Sequence, residues 1–175
     1  PVETSVPSMS KSKTVRIEPY ASITNAMTYL FETEEHAQLR ETVKRFSVKH
    51  IAPHAHAWEE AEEFPRELYE QAAEAGLLGI SYPEEDGGAG GDITHALVAA
   101  EEMVLHGHSV GTCVSLNSHA IALPPIVRLG TAEQRKRFVA PVLAGEKVSA
   151  LAITEPGGGS DVASSRTKAV RDGDY

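Results

Sequence analysis

From Thr33 onward, apolar residues recur along the chain at helical spacing. Thr33 followed by Glu34 and Glu35 reads as an N-cap with two acids in the first turn, where the helix dipole favours negative charge. Leu39, Val43 and Phe46 then recur at intervals of four and three, and Ile51, Ala55 and Trp58 resume the stripe after one extra residue. Pro53 is the expected cause of a kink there. Phe64-Pro65 opens a further helix with Leu68, Ala72 and Ala75 on its buried side and Gly76 as its stop. The stretch from Ser81 to Asp92, with Pro83 and four glycines, is a loop. Asp92 caps a helix whose stripe is Ile93, Leu97, Ala100 and Val104 and which ends near Gly107. An uncharged helix follows over roughly 109–123. Thr131 with Gln134 three residues later forms a capping box, so a last helix runs to about Leu143.

From Val148 the period changes. Val148, Ala150, Ala152 and Thr154 alternate with Ser149, Leu151 and Ile153, the pattern of a strand running into Glu155-Pro156-Gly157. The expected fold is therefore an all-α N-terminal helical domain over 33–147, followed by the first strand of a β-domain over 148–175. Residues 1–32 are rich in Ser and Thr and lack a periodic stripe, so they are expected to be a mobile extension. They lack the apolar core of a signal peptide, and Glu3, Glu18 and Glu32 balance Lys11, Lys13 and Arg16, which makes a poor organellar transit peptide. Met103 to Val127 carries no charge, but three histidines, Asn117, two glycines and Pro124-Pro125 interrupt it, so a buried helix is expected there and not a membrane span.

Composition narrows the function. Across 175 residues, 25 acidic side chains face 16 basic ones for a net charge of −9, which disfavours nucleic acid and anionic membrane as partners. The single cysteine, Cys113, excludes an internal disulfide, and its uncharged surroundings predict a small buried hydrophobe and not a reactive thiol. The eight histidines raise the question of a metal. His50 and His54 flank Pro53, His54 and His56 lie two apart, and His106 and His108 flank a glycine, without the Glu of a His-Glu-x-x-His helix or a cysteine pair nearby. Their spacing therefore predicts no metal site.

The segment that carries chemistry is Leu151-Ala152-Ile153-Thr154-Glu155-Pro156-Gly157-Gly158-Gly159-Ser160-Asp161. Three glycines and a serine after an extended run let backbone N–H groups approach a bulky anion without an intervening Cβ. No Gly-Lys-Ser/Thr follows, as a P-loop needs. Val162 stands where a dinucleotide fingerprint needs its third glycine, and Ser160 lacks the Gly-x-Ser-x-Gly frame of a nucleophile elbow. Physics alone leaves two readings, a phosphate or cofactor clamp and a plain turn.

Thr154-Glu155-Pro156-Gly157-Gly158-Gly159-Ser160-Asp161 closely resembles the flavin-binding signature of acyl-CoA dehydrogenases. Leu39-Arg40-Glu41-Thr42-Val43, Ile51-Ala52-Pro53, Phe64-Pro65, Gly76-Leu77-Leu78-Gly79-Ile80, Pro83-Glu84-Glu85, Gly87-Gly88-Ala89-Gly90, Pro125-Ile126 and Gly130-Thr131-Ala132-Glu133-Gln134 follow the family's order and spacing. Gly158 departs from the alanine more usual there and leaves the backbone donors in place. The resemblance implies an FAD enzyme that removes two hydrogens across the α and β carbons of an acyl-CoA thioester, a base taking the α proton while hydride passes from Cβ to flavin N5. It implies an electron-transfer flavoprotein as electron acceptor, a homotetramer, and residence in a bacterial cytoplasm or a mitochondrial matrix.

Carried onto this sequence, the resemblance implies that Leu151, Ile153, Thr154, Gly159 and Ser160 bind the cofactor and that Ser160 also reaches the CoA part of the substrate. Val110, Cys113, Val114, Asn117 and Ile121 recur at three- and four-residue spacings, so they share a face, which is either an acyl wall or a core stripe. The family's catalytic glutamate sits in a C-terminal bundle that has no counterpart here, so no residue takes that role and the chain alone is expected to be inactive. Glu101 and Glu102 are expected on solvated surface. Two alternatives remain: a flavin-free helical assembly subunit or fragment, whose support is the missing catalytic portion, and an acyl-CoA oxidase, which would use a similar loop.

Overall fold

A computed structural model describes residues 29–173, and the chain divides at Glu32/Thr33 into two units. The expectation for the extension falls almost wholly outside the described residues. Among 29–32, the rings of Tyr29 and Phe31 stack with centroids 5.0 Å apart.

The second unit is helical. Helix α1, Glu34–His50, begins at Thr33, which is extended at the N-cap and donates its N–H to Nδ1 of His36 at 3.2 Å. Glu34 and Glu35 occupy its first turn, Lys49 and His50 its last, the charge order the helix dipole favours. Ile51–His54, with Pro53, form the expected break before α2, Ala55–Ala61. Helix α3, Glu67–Glu74, buries Leu68 and Ala72 and ends at Gly76, whose φ of +75° an L side chain rarely adopts. The glycine loop after it contains one 3-10 turn, Glu84–Asp86. It folds so tightly that a Cβ on Gly88 would lie 2.2 Å from the Tyr82 carbonyl oxygen.

Helix α4, Ile93–Gly107, packs along α1. Asp92 caps it, accepting from the N–H of Thr94 at 2.9 Å and of His95 at 3.3 Å. Which side α4 buries differs from the expected stripe. Ile93 and Leu97 are exposed, whereas Val98, Ala99, Glu102 and Met103 are buried. Glu102 is not surface: Nη1 of Arg40, on α1, donates to it at 2.5 Å, and Nε2 of His106 lies 3.1 Å from its other oxygen. Arg40 also reaches Glu101 at 2.9 Å. A periodicity reading places any carboxylate outward, but a guanidinium on the facing helix makes inward placement of Glu102 tolerable.

The uncharged run forms α5, Val110–Leu116, α6, His119–Ala122, and α7, Pro124–Leu129, instead of one helix to Leu123. Asn117 and Ser118 break it first, and the proline pair at the start of α7 removes the N–H groups that would continue it. No single helix among the described residues is long and apolar enough to cross a membrane. Helices α8, Ala132–Phe138, and α9, Ala140–Leu143, complete the series. Thr131 and Gln134 make the expected reciprocal capping box at the start of α8.

The core has two parts. Val43, Phe46, Ile51, Leu68, Ala72, Leu77, Leu78, Ala99, Met103, Cys113 and Leu116 form the larger, under α1 to α5. Tyr82, Leu123, Val139, Val142 and Leu143 form the smaller. His119 stands between them with Nε2 2.7 Å from the Leu78 carbonyl oxygen and Nδ1 3.0 Å from that of Leu116.

Beyond Lys147 the backbone makes no ladder among the described residues. The alternation at 148–154 predicts a strand, and the structure shows chain without regular structure there, exposed except at Ser149, with one isolated bridge between Glu155 and Gly158. A strand is defined by a partner's hydrogen bonds, and no partner lies within 148–173.

Candidate functional site

Leu151, Ile153, Thr154, Gly159 and Ser160 all lie on the exposed segment that leaves the helical unit. Its start is tied to the helices by the Ser118 hydroxyl, between α5 and α6, which donates to the Ser149 carbonyl at 3.3 Å.

The glycine turn is closed by two backbone bonds, Glu155 N–H to Gly158 O at 3.0 Å and Gly158 N–H to Glu155 O at 3.1 Å. The N–H groups of Gly159 and Ser160 have no partner among the described residues. A Cβ added at Gly157 or Gly158 would meet nothing within 4 Å, and one at Gly159 would touch only the Thr154 side chain at 3.6 Å. These glycines therefore do not relieve an internal clash; they leave bare backbone facing outward. Free donors without side chains fit a phosphate-bearing cofactor such as FAD.

Behind the turn, the Glu155 carboxylate accepts from the N–H of Arg166 at 2.8 Å, the N–H of Thr167 at 2.7 Å and the Thr167 hydroxyl at 2.5 Å. Those bonds favour the ionised form and hold its carboxyl below the usual range. They also fold 161–167 back on 155–158, enclosing a depression of about 500 Å³. Sequence reading left Arg166 and Thr167 out, because their role is set by a backbone return and not by any motif.

The residues expected at an acyl wall divide. Val110 and Val114 of α5 and Ile121 of α6 are exposed. Cys113 is buried, with Sγ 3.9 Å from the Ala100 carbonyl oxygen, and burial pushes its thiol pKa up. Its burial matches the expectation of a small buried hydrophobe. Asn117, partly buried, spends its amide on the Cys113 carbonyl at 2.9 Å, one turn back, at the C-cap of α5. Cys113 and Asn117 therefore turn toward α4, while Val110 and Val114 of α5 and Ile121 of α6 are exposed.

Comparison with known proteins places these features in context. The family description "Acyl-CoA dehydrogenase, N-terminal domain" matches residues 33–146. A mitochondrial long-chain specific acyl-CoA dehydrogenase of Sus scrofa is 42% identical over 141 residues, 81% of this chain and 32% of that protein. An acyl-CoA dehydrogenase of Bacillus subtilis is 35% identical over 139 residues, 79% of this chain and 36% of that protein. Among solved structures, an acyl-CoA dehydrogenase from Geobacillus kaustophilus superposes with a TM-score of 0.73 at 34% identity, covering 85% of this chain and 38% of that one. One from Bacillus anthracis, complexed with FAD, superposes with a TM-score of 0.66 at 32% identity, covering 82% and 24%. The chain thus spans about a third of the length of the curated relatives it matches.

Proposed function

Because this chain belongs to the acyl-CoA dehydrogenase family, we propose that it supplies the N-terminal helical part and the cofactor loop of an FAD-dependent enzyme that dehydrogenates an acyl-CoA thioester between its α and β carbons. The observation that carries this reading is the glycine turn at 157–159, whose outward backbone donors and absent side chains suit a phosphate-bearing cofactor. FAD, when bound, supplies the two-electron acceptor for that oxidation.

The chain's own residues bind and orient. Gly159 and Ser160 offer backbone N–H groups, and Ser160 a hydroxyl, to the cofactor's phosphates or to the CoA moiety. Leu151 and Ile153 cover a flat ring with apolar surface, while Thr154 offers a hydroxyl at its edge. Val110, Val114 and Ile121 line the acyl chain and exclude water from it. Cys113 and Asn117 stand behind that wall and hold α5 in place. No residue of this chain is assigned the base. An electron-transfer flavoprotein is the proposed acceptor, a homotetramer the proposed assembly, and a bacterial cytoplasm or a mitochondrial matrix the proposed location.

The test is anaerobic addition of acyl-CoA to the purified protein that carries this sequence. Bleaching of the visible flavin absorption, with formation of the enoyl product, is the expected result. Protein that purifies without flavin and cannot be reconstituted with FAD would overturn the reading and favour an assembly subunit.

A further inference from the structure

The starts of α1 and α4 meet, and each contributes a histidine at the third helical position of its own cap. His36, 4% exposed, has Nδ1 2.9 Å from the Thr33 hydroxyl and Nε2 2.9 Å from the Thr94 hydroxyl. That Thr94 hydroxyl donates to Oδ1 of Asp92 at 2.5 Å, and the same Oδ1 is 2.8 Å from Nδ1 of His95. The two imidazoles stack with centroids 4.0 Å apart. One donor atom each from His36, Asp92 and His95 lies within 4.8 Å of the other two. Glu35 brings a second carboxylate, its Oε2 3.9 Å from Nε2 of His95.

We propose that His36, Asp92 and His95 bind a divalent first-row transition cation of the zinc type at the contact of α1 and α4. Ligands of a tetrahedral ion, each about 2.1 Å away, stand about 3.4 Å apart. The present set therefore closes by up to about 1.4 Å on binding, through side-chain rotations that unstack the two imidazoles and turn their ring nitrogens toward one point. The Thr94 hydroxyl lies between His36 and Asp92, where the ion would sit, and one χ1 rotation vacates the place. Nδ1 of His36 accepts from the Thr33 N–H in this structure, so when Nε2 gives its lone pair to the metal the ring proton moves to Nδ1, which exchanges that cap bond for one donated to the Thr33 hydroxyl, the orienting bond that metal-bound histidines usually have. Two imidazoles with a carboxylate select zinc, cobalt or nickel over magnesium or calcium, which prefer all-oxygen shells. Glu35 and water complete the coordination. Residues 56 and 59 positions apart from His36 make up the rest of the set, which no local spacing announces.

The test is calorimetric titration of the chain with ZnCl₂, using variants chosen to keep the helix caps. His36→Gln and His95→Gln leave a capping side chain at the third position, and Asp92→Ser leaves an N-cap. The expected result is saturable binding of one ion per chain, with each variant at least tenfold weaker and no response to MgCl₂. His56→Ala, at an exposed histidine elsewhere, leaves the affinity unchanged. Cobalt(II) gives a visible ligand-field band that disappears in His95→Gln. Absence of saturable zinc binding overturns the proposal, as does wild-type affinity in the three variants. Loss in His95→Gln with His36→Gln unaffected assigns the ion to a surface histidine and overturns it too.

Discussion

The helical unit and the segment that follows it solve opposite problems with neighbouring stretches of one chain. Between Thr33 and Leu143 the side chains close on one another, and Val43, Ile51, Leu116 and Val139 lose essentially all contact with solvent. From Leu151 to Gly173 only Glu155 is even partly covered. The first region is organised by burial, so its residue types follow from packing. The second keeps glycines that relieve no clash and donors that have no partner among the described residues, so packing does not account for its residue types.

The largest effect that would sharpen this contrast is a cavity in the core. Leu116→Ala is expected to cost about 2–5 kcal/mol in a denaturant melt, whereas Leu151→Ala is expected to change stability by less than about 0.5 kcal/mol. A comparable loss at both positions would break the division.

Next comes the charge that α4 turns inward. Glu102→Ala removes the covered carboxylate that Arg40 and His106 share and leaves Arg40 with Glu101, so it is expected to destabilise by about 2 kcal/mol. Glu101→Ala, a third exposed, should cost no more than about 1 kcal/mol. Equal effects would contradict the assignment of Glu102 to the interior.

A smaller effect is expected from acid. Burial holds the His119 pKa below its usual 6.5, although its two carbonyl neighbours pull the other way. Above pH 6.5 folded and unfolded chains both keep it neutral, and it contributes nothing. As the pH falls below 6.5 the unfolded chain takes up the proton first, so stability declines until the folded pKa is reached and is flat below it. His119→Gln should flatten that stretch of a stability profile; an unchanged slope would remove His119 as its source.

The smallest effect belongs to the turn. Gly158→Ala is expected to leave both stability and flavin content unaltered, because the added methyl meets nothing within 4 Å. A loss of flavin there would show that bound cofactor approaches this backbone more closely than that of Gly159.

The same contrast explains what could be read beforehand. The caps at Thr33, Asp92 and Thr131 were legible because a short polar side chain before an apolar stripe has few other uses. The turn at 157–159 was legible because three consecutive glycines rarely serve a core. The buried side of α4 was not, since Arg40 and Glu102 lie 62 residues apart and only their meeting makes an inward carboxylate tolerable. The breaks at Asn117 and Ser118 were hidden in an uncharged run that satisfies helical spacing throughout. The strand expected at 148–154 had the right alternation, but pairing depends on a neighbour that alternation does not supply. The cluster of His36, Asp92 and His95 was invisible for the reason that hid Glu102.

The most direct test of the central claim is flavin content and thermal melting measured side by side on the protein carrying Gly159→Leu, which places a branched side chain against Thr154 and over the exposed donors. Flavin absorption at or near zero, with the melting of the helical unit unchanged, is the predicted result. Full flavin content in that variant would contradict it, and the turn would then be no more than a turn.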